Sequence, residues 1–204
     1  MKILDTYSKD KSLAVCFQCH AIKDRLNDGY LPGDDFDDYF STKLSILAGD
    51  MYTPDGRVNQ FAYQQNQLFS DCYVNGSMTC VDCHDPHSQK YRDIWGQLLS
   101  GRFDNRQCTD CHASKAKFPG LHSKHKKRSK GNLCTSCHMP YLQHRIIGNK
   151  LTVTRSDHVI PIPRPAFDNS IGIENACSKC HKDKSISFGE RRSNHYRHNA
   201  EYSE

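Results

Sequence analysis

Apolar residues are thinly spread along this chain of 204 residues, and none of their runs approaches the roughly 20 that cross a bilayer as a helix. The pattern predicts only short elements. Ala21 to Leu26 reads as a short helical run stopped by Asn27-Asp28-Gly29. Pro32-Gly33 predicts a turn, and Asp34 to Phe40 a helix whose acidic start suits its dipole. The carboxylates there match no calcium-loop spacing. Residues 41–75 carry Tyr52, Phe61, Tyr63, Phe69 and Tyr73 as their large apolar side chains. His122 to Lys130 is a charge run and reads as a solvated loop. From Asp157 to Pro165 alternating prolines predict an extended, polyproline-like segment that would hold His158 rigidly.

Composition sharpens the picture. Only 36% of residues are hydrophobic and mean hydropathy is −0.77. A chain this polar struggles to bury a core that offsets its ordering entropy. Length alone fits one domain or two small ones.

The chemistry sits in the cysteines. CxxCH occurs five times, at Cys16-Cys19-His20, Cys80-Cys83-His84, Cys108-Cys111-His112, Cys134-Cys137-His138 and Cys177-Cys180-His181. Random placement of 11 Cys and 12 His would give about 0.03 matches to this pattern. In an exported protein it is the attachment signature of c-type haem: two thiols bind one haem edge and the adjacent His ligates the iron. Zinc does not require His after the second Cys five times over, and Cys pairs two residues apart make strained disulfides. Five haems c are therefore expected, supplying the apolar interior that the polypeptide lacks. The aromatic residues of 41–75 would pack on porphyrin faces. Cys72, the odd cysteine, is expected to be a buried free thiol.

Haem also changes the meaning of the charge. The formal +5 is offset by propionates, so basic residues are expected to partner them. The run around Lys124 to Lys130 lacks interleaved aromatics, which argues against nucleic acid. No h-region follows Met1-Lys2-Ile3-Leu4-Asp5. Haem c is attached outside the cytoplasm, so the expected location is periplasmic or extracellular and the numbering that of a processed or partial chain.

Seven histidines lie outside the motifs. The favoured distal iron ligands are His87, His125, His158 and His195, followed by His122, His198 and His144. Met51 and Met78 rank lower. Iron held by two histidines has no open position, so the expected role is electron transfer to redox partner proteins or extracellular acceptors. Self-association into a filament is one version of that role. The alternative is an oxidoreductase acting on a small nitrogen or sulfur compound at one open haem.

Asp28 to Phe36, Thr79 to Ser88 (TCVDCHDPHS), Cys137-His138-Met139-Pro140, Ser156-Asp157-His158 and Asn175-Ala176-Cys177 carry a resemblance. In that order they resemble large multihaem c-type cytochromes with doubled CxxCH motifs, often joined to tetratricopeptide repeats. These are similar to the hydroxylamine-oxidoreductase and ammonia-forming nitrite-reductase lineage. The resemblance implies a mostly irregular fold with short α-helices around a chain of stacked and T-shaped, mostly bis-His haems. It supports His158 as a distal ligand most directly, then His122/His125 and His87. The absence of CxxCK leaves the lysine-ligated catalytic haem of nitrite reductases without a counterpart. One pentahaem domain over residues 1–204 is expected, with a first-haem segment 1–75 and a four-haem cluster 76–204 as its possible subdivision.

Overall fold

The computed structural model describes residues 8–43, 52–58, 64–144 and 154–200, with the backbone alone at 142–144, 154–155 and 194–200. The chain opens with α1 (Lys9–His20), whose N-cap Ser8 accepts from the Lys11 N–H. Leu13, Phe17 and Ala21 recur every four residues and are buried together, with Phe36, Leu68, Tyr73 and Cys80 packed against them. The helix stops where Ala21 turns extended, at φ −126° and ψ 150°.

The helix expected over Ala21 to Leu26 is absent. Lys23–Arg25 forms strand β1, paired antiparallel with β2 (Phe40–Thr42) in the register Lys23↔Thr42 and Arg25↔Phe40. Tertiary contacts override local propensity here. Ala21 and Ile22 are buried, the Ile22 N–H is taken by the Gln65 side chain, and the Lys43 N–H donates to the Ile22 carbonyl at 2.9 Å. Between the strands, the acidic segment makes a single 3-10 turn, Phe36–Asp38, capped by the Asp35 carboxylate.

From there the chain is a succession of single turns: 3-10 turns at Gln65–Phe69 and Cys80–Asp82, α2 (Asp71–Val74), α3 (Arg106–Thr109), α4 (Ala113–Lys117) and α5 (Pro119–Ser123). A 3-10 turn at Lys130–Asn132 precedes α6 (Cys134–His138). A hairpin of β3 (Tyr141–His144) and β4 (Thr154–Ser156) follows. Helices α7 (Pro165–Ser170) and α8 (Ile186–Ala200) pack together at the end. Proline shapes only part of the segment after β4. His158 and Val159 form a turn, Ile160 adopts φ +53°, and the extended stretch ends at Pro165, first residue of α7.

Buried polar residues outnumber buried hydrophobic ones among the described residues, fourteen to nine. The protein interior is therefore held largely by hydrogen bonds. One strip carries much of this: Gln65, Asn66 and Gln67 are all at least 96% buried. Their side chains engage Ile22 and Tyr52, Val58 and Asp157, and Met78 respectively. Among the described residues no helix is long and apolar enough to cross a membrane.

Candidate metal centres along the chain

Each CxxCH motif closes one helical turn. His84, His112 and His181 donate their N–H groups to the carbonyls of Cys80, Cys108 and Cys177 at 2.9, 2.9 and 2.8 Å. The first motif is the last turn of α1, and the fourth is α6. The turn is built by capping side chains. The Thr79/Asp82 pair forms a capping box on the second motif. Asn105 bridges the third and fourth, donating to the Asn132 carbonyl and accepting from the Cys134 N–H. Asn175 accepts from the Cys177 and Ser178 N–H groups at the start of the fifth.

Three motif histidines face a second histidine. The ring centroids of His84 and His158 are 6.4 Å apart at 23°, those of His138 and His122 5.9 Å at 9°, and those of His181 and His125 5.9 Å at 35°. Two imidazoles on opposite sides of one metal ion, each nitrogen about 2.0–2.1 Å from it, put their centroids about 6 Å apart.

The outer nitrogens fit the same arrangement. His158 Nδ1 lies 2.9 Å from the Ser156 carbonyl, His125 Nδ1 2.5 Å from that of Ser123, and His138 Nδ1 3.1 Å from that of Pro161. His20 Nδ1 is 2.8 Å from Gln64 Oε1. A carbonyl oxygen only accepts, so these Nδ1 atoms carry the proton and leave the Nε2 lone pairs free for a metal. Burial holds the rings in the neutral form that ligates: His84 is pushed down to about 4, with the neighbouring His158 and His20 adding to the effect. His158, His122 and His138 are lowered as well, chiefly by burial.

Among the described residues no group of three or more His, Cys, Asp or Glu side chains could hold a bare ion. Three of the five motif histidines are paired with a second histidine. A planar macrocycle that supplies its own four nitrogens, tethered by the paired thiols beside the ring, fits this donor set; a protein-only zinc cage does not.

The motifs also meet one another, in sequence order. Cys16 and Cys80 share a hydrogen bond that lowers the Cys16 thiol to about 7 and raises that of Cys80. Cys108 and Cys134 repeat this arrangement, with Cys134 lowered to about 7. The second and third motifs adjoin where Cys83, raised to about 12 mainly by burial, feels Cys111 and Cys72. The fourth and fifth adjoin at Cys137, raised to about 11 by burial and by Cys177 and Cys180. Cys72 is only half-buried, not the buried thiol expected, and lies between the second and third motifs.

Other expected sites lie elsewhere. His87 is exposed on the turn after the second motif, where Asp85 accepts its backbone N–H, and no described ring pair includes it. The side chains of His144, His195 and His198 lie outside the described residues, as do Met51, Phe61 and Tyr63. Tyr52 is buried in the chain's own core with its hydroxyl bonded to the Lys43 carbonyl, whereas Phe69 is exposed. Sequence reasoning missed Gln64, which hydrogen-bonds His20, and Arg57 and Asn66, which donate to Asp157 next to His158. Adjacent amides and a lone Arg carry no signal of spacing that could have found them.

No protein-family model matches the chain. It is 28% identical over 98 residues to the dissimilatory sulfite reductase MccA of Wolinella succinogenes, covering 38% of this chain and 13% of that protein. Its fold is similar to the crystal structure of the outer cell wall cytochrome OcwA, with a TM-score of 0.56 and 16% identity over 88% of this chain and 50% of that one. The chain thus spans half or less of the length of either protein. The CxxCH turns, the facing histidines and these likenesses agree.

Proposed function

We propose that this chain, a multihaem c-type cytochrome, holds five haems and serves as an electron conduit whose order follows the sequence. The observation that carries this is the set of three histidine pairs about 6 Å apart, each with one member from a CxxCH motif. When bound, haem c supplies reversible one-electron chemistry at iron. The ten motif cysteines tether it, and His20, His84, His112, His138 and His181 are the proximal ligands. His158, His122 and His125 are distal ligands to the second, fourth and fifth haems. Candidates for the first and third are His87, His144, His195 and His198. Hydrogen bonds between Cys16 and Cys80 and between Cys108 and Cys134, with the electrostatic influence of Cys111 on Cys83 and of Cys177 on Cys137, support proximity of successive haems. One pentahaem domain is supported by Arg57, which binds Asp157 and Asp168 across about a hundred residues of chain.

Attachment of haem c places the protein in the periplasm or outside the cell, where redox proteins or extracellular acceptors are its partners. Intact-mass measurement tests the haem count: five added haems are expected, and fewer would refute it. EPR of the oxidised protein tests the conduit, because bis-His iron gives only low-spin signals. A high-spin fraction in the native protein would favour the second reading, an oxidoreductase with one open haem. One observation favours that reading: a sequence relative is a sulfite reductase. Negative-stain electron microscopy separates a compact carrier from a filament protomer.

A further inference from the structure

We propose that Arg57 and Asn66 are positioning residues for the second haem: they clamp Asp157 and so seat His158 opposite His84. This rests on the reading of His158 as a distal ligand. Asp157 is fully buried, and its carboxylate oxygens and its backbone N–H are all engaged. One carboxylate oxygen accepts from Arg57 Nη1 at 3.3 Å; the other accepts from the Val159 N–H at 3.0 Å and faces Asn66 Nδ2 at 3.5 Å. Its own N–H donates to the Pro140 carbonyl at 2.9 Å, two residues beyond the fourth motif. His158 therefore sits between two residues tied to one carboxylate, and its Nδ1 bonds back to Ser156. The ring has little freedom left.

The clamp is itself anchored. Arg57 is 5% exposed and spends its remaining donors on Asp55 and Asp168 at 2.8 Å each, while Arg164 also binds Asp55 at 3.0 Å. Asp168 lies on α7, which packs against α8 beside the fifth motif. Asn66 accepts from the Val58 N–H at 2.9 Å, and two residues earlier Gln64 holds His20. This buried polar network thus reaches segments beside the fourth and fifth motifs and, through the Gln64–Gln67 strip, the first. A buried guanidinium among carboxylates is a poor source of stability compared with apolar packing. Its forked, directional donors are suited to fixing positions, and a metal ligand needs its position fixed within about 0.2 Å.

The test is low-spin EPR of the holoprotein, with His158→Ala used to mark which signal belongs to the second haem. Arg57→Met is expected to remove more than half of that marked low-spin signal or shift it, leaving the others in place. Arg57→Lys, which keeps the charge, is expected to restore part of it. Asp157→Asn, which leaves the buried shape intact, is expected to act as Arg57→Met does and stands in where that variant yields no holoprotein. A marked signal unchanged by these substitutions, or a uniform fall of all low-spin signals, would overturn the clamp. A silent His158→Ala would remove the ligand assignment itself, and the clamp with it.

Discussion

Gly131→Ala turns the packing around His125 into a test of ligation. A methyl at this glycine would lie 2.2 Å from His125 Cδ2, 2.5 Å from Cγ and 2.7 Å from Nε2. Carbon atoms in contact rest about 3.5–4.0 Å apart, so the ring must retreat by more than about 1 Å. Iron–imidazole bonds tolerate about 0.2 Å. The shift is several times that tolerance, so a His125 that ligates the iron of the His181 site must leave it. The backbone itself accepts alanine: Gly131 lies in a 3-10 turn without positive φ, where the change would otherwise add about 0.4–1 kcal/mol of stability. A histidine with no metal would swing aside at little cost and leave no spectroscopic trace. The expected result is therefore one haem converted to high spin in a well-folded protein, with low spin restored by added imidazole. Gly120→Ala is the control, since its methyl would meet only the His125 carbonyl at 3.4 Å. A wholly low-spin Gly131→Ala protein would refute the placement of His125 on iron.

His158→Ala and His122→Ala should each convert one different haem to high spin, and the double variant two; a shared haem, seen by EPR as no added effect, would refute the pairing with His84 and His138. Gln64→Leu removes the acceptor on His20 Nδ1, 2.8 Å away. The imidazole becomes a weaker donor to ferric iron, so one reduction potential should rise in a spectroelectrochemical titration, and a fall would contradict the reading. Leu13→Ala empties a site 1% exposed under Phe17, Phe36 and Tyr73. It should cost about 2–5 kcal/mol, and at about 2–4 °C per kcal/mol in a chain of this size calorimetry should show a clear fall in Tm.

What could be read from the sequence follows from which forces leave a spacing behind. The motifs did, because covalent attachment fixes Cys-x-x-Cys-His rigidly. So did the scarcity of hydrophobic residues, and the short turns observed are what such a chain can sustain. Helix α1 was there to be found in Leu13, Phe17 and Ala21, four residues apart. Ala21 to Leu26 misled because its propensity is helical, whereas burial of Ile22 and the Gln65 side chain pull it into a strand edge. Which histidine meets which motif is set by contacts 16 residues apart for His122–His138, 56 for His125–His181 and 74 for His84–His158; short-range periodicity holds no record of it. Spacing ranked His87 beside His125 and His158, yet a tight turn around Asp85 leaves it exposed.

The polar interior and the paired histidines are two sides of one physical problem. A chain whose apolar interior is a set of covalently held planar groups cannot position them by hydrophobic packing, which is non-directional and tolerates sliding. Electron transfer between neighbouring centres needs fixed spacing and fixed ligands. Hydrogen bonds and ion pairs supply direction, and they are strongest when buried and fully satisfied. Gln64, Asn105 and the Arg57 unit are placed accordingly, tying His20, the third and fourth motifs and the residue before His158 to distant segments, while Asn175 caps the start of the fifth motif locally. The fourteen buried polar residues are then not a weakness of the fold. On the reading proposed above, they form a rigid frame around the haems.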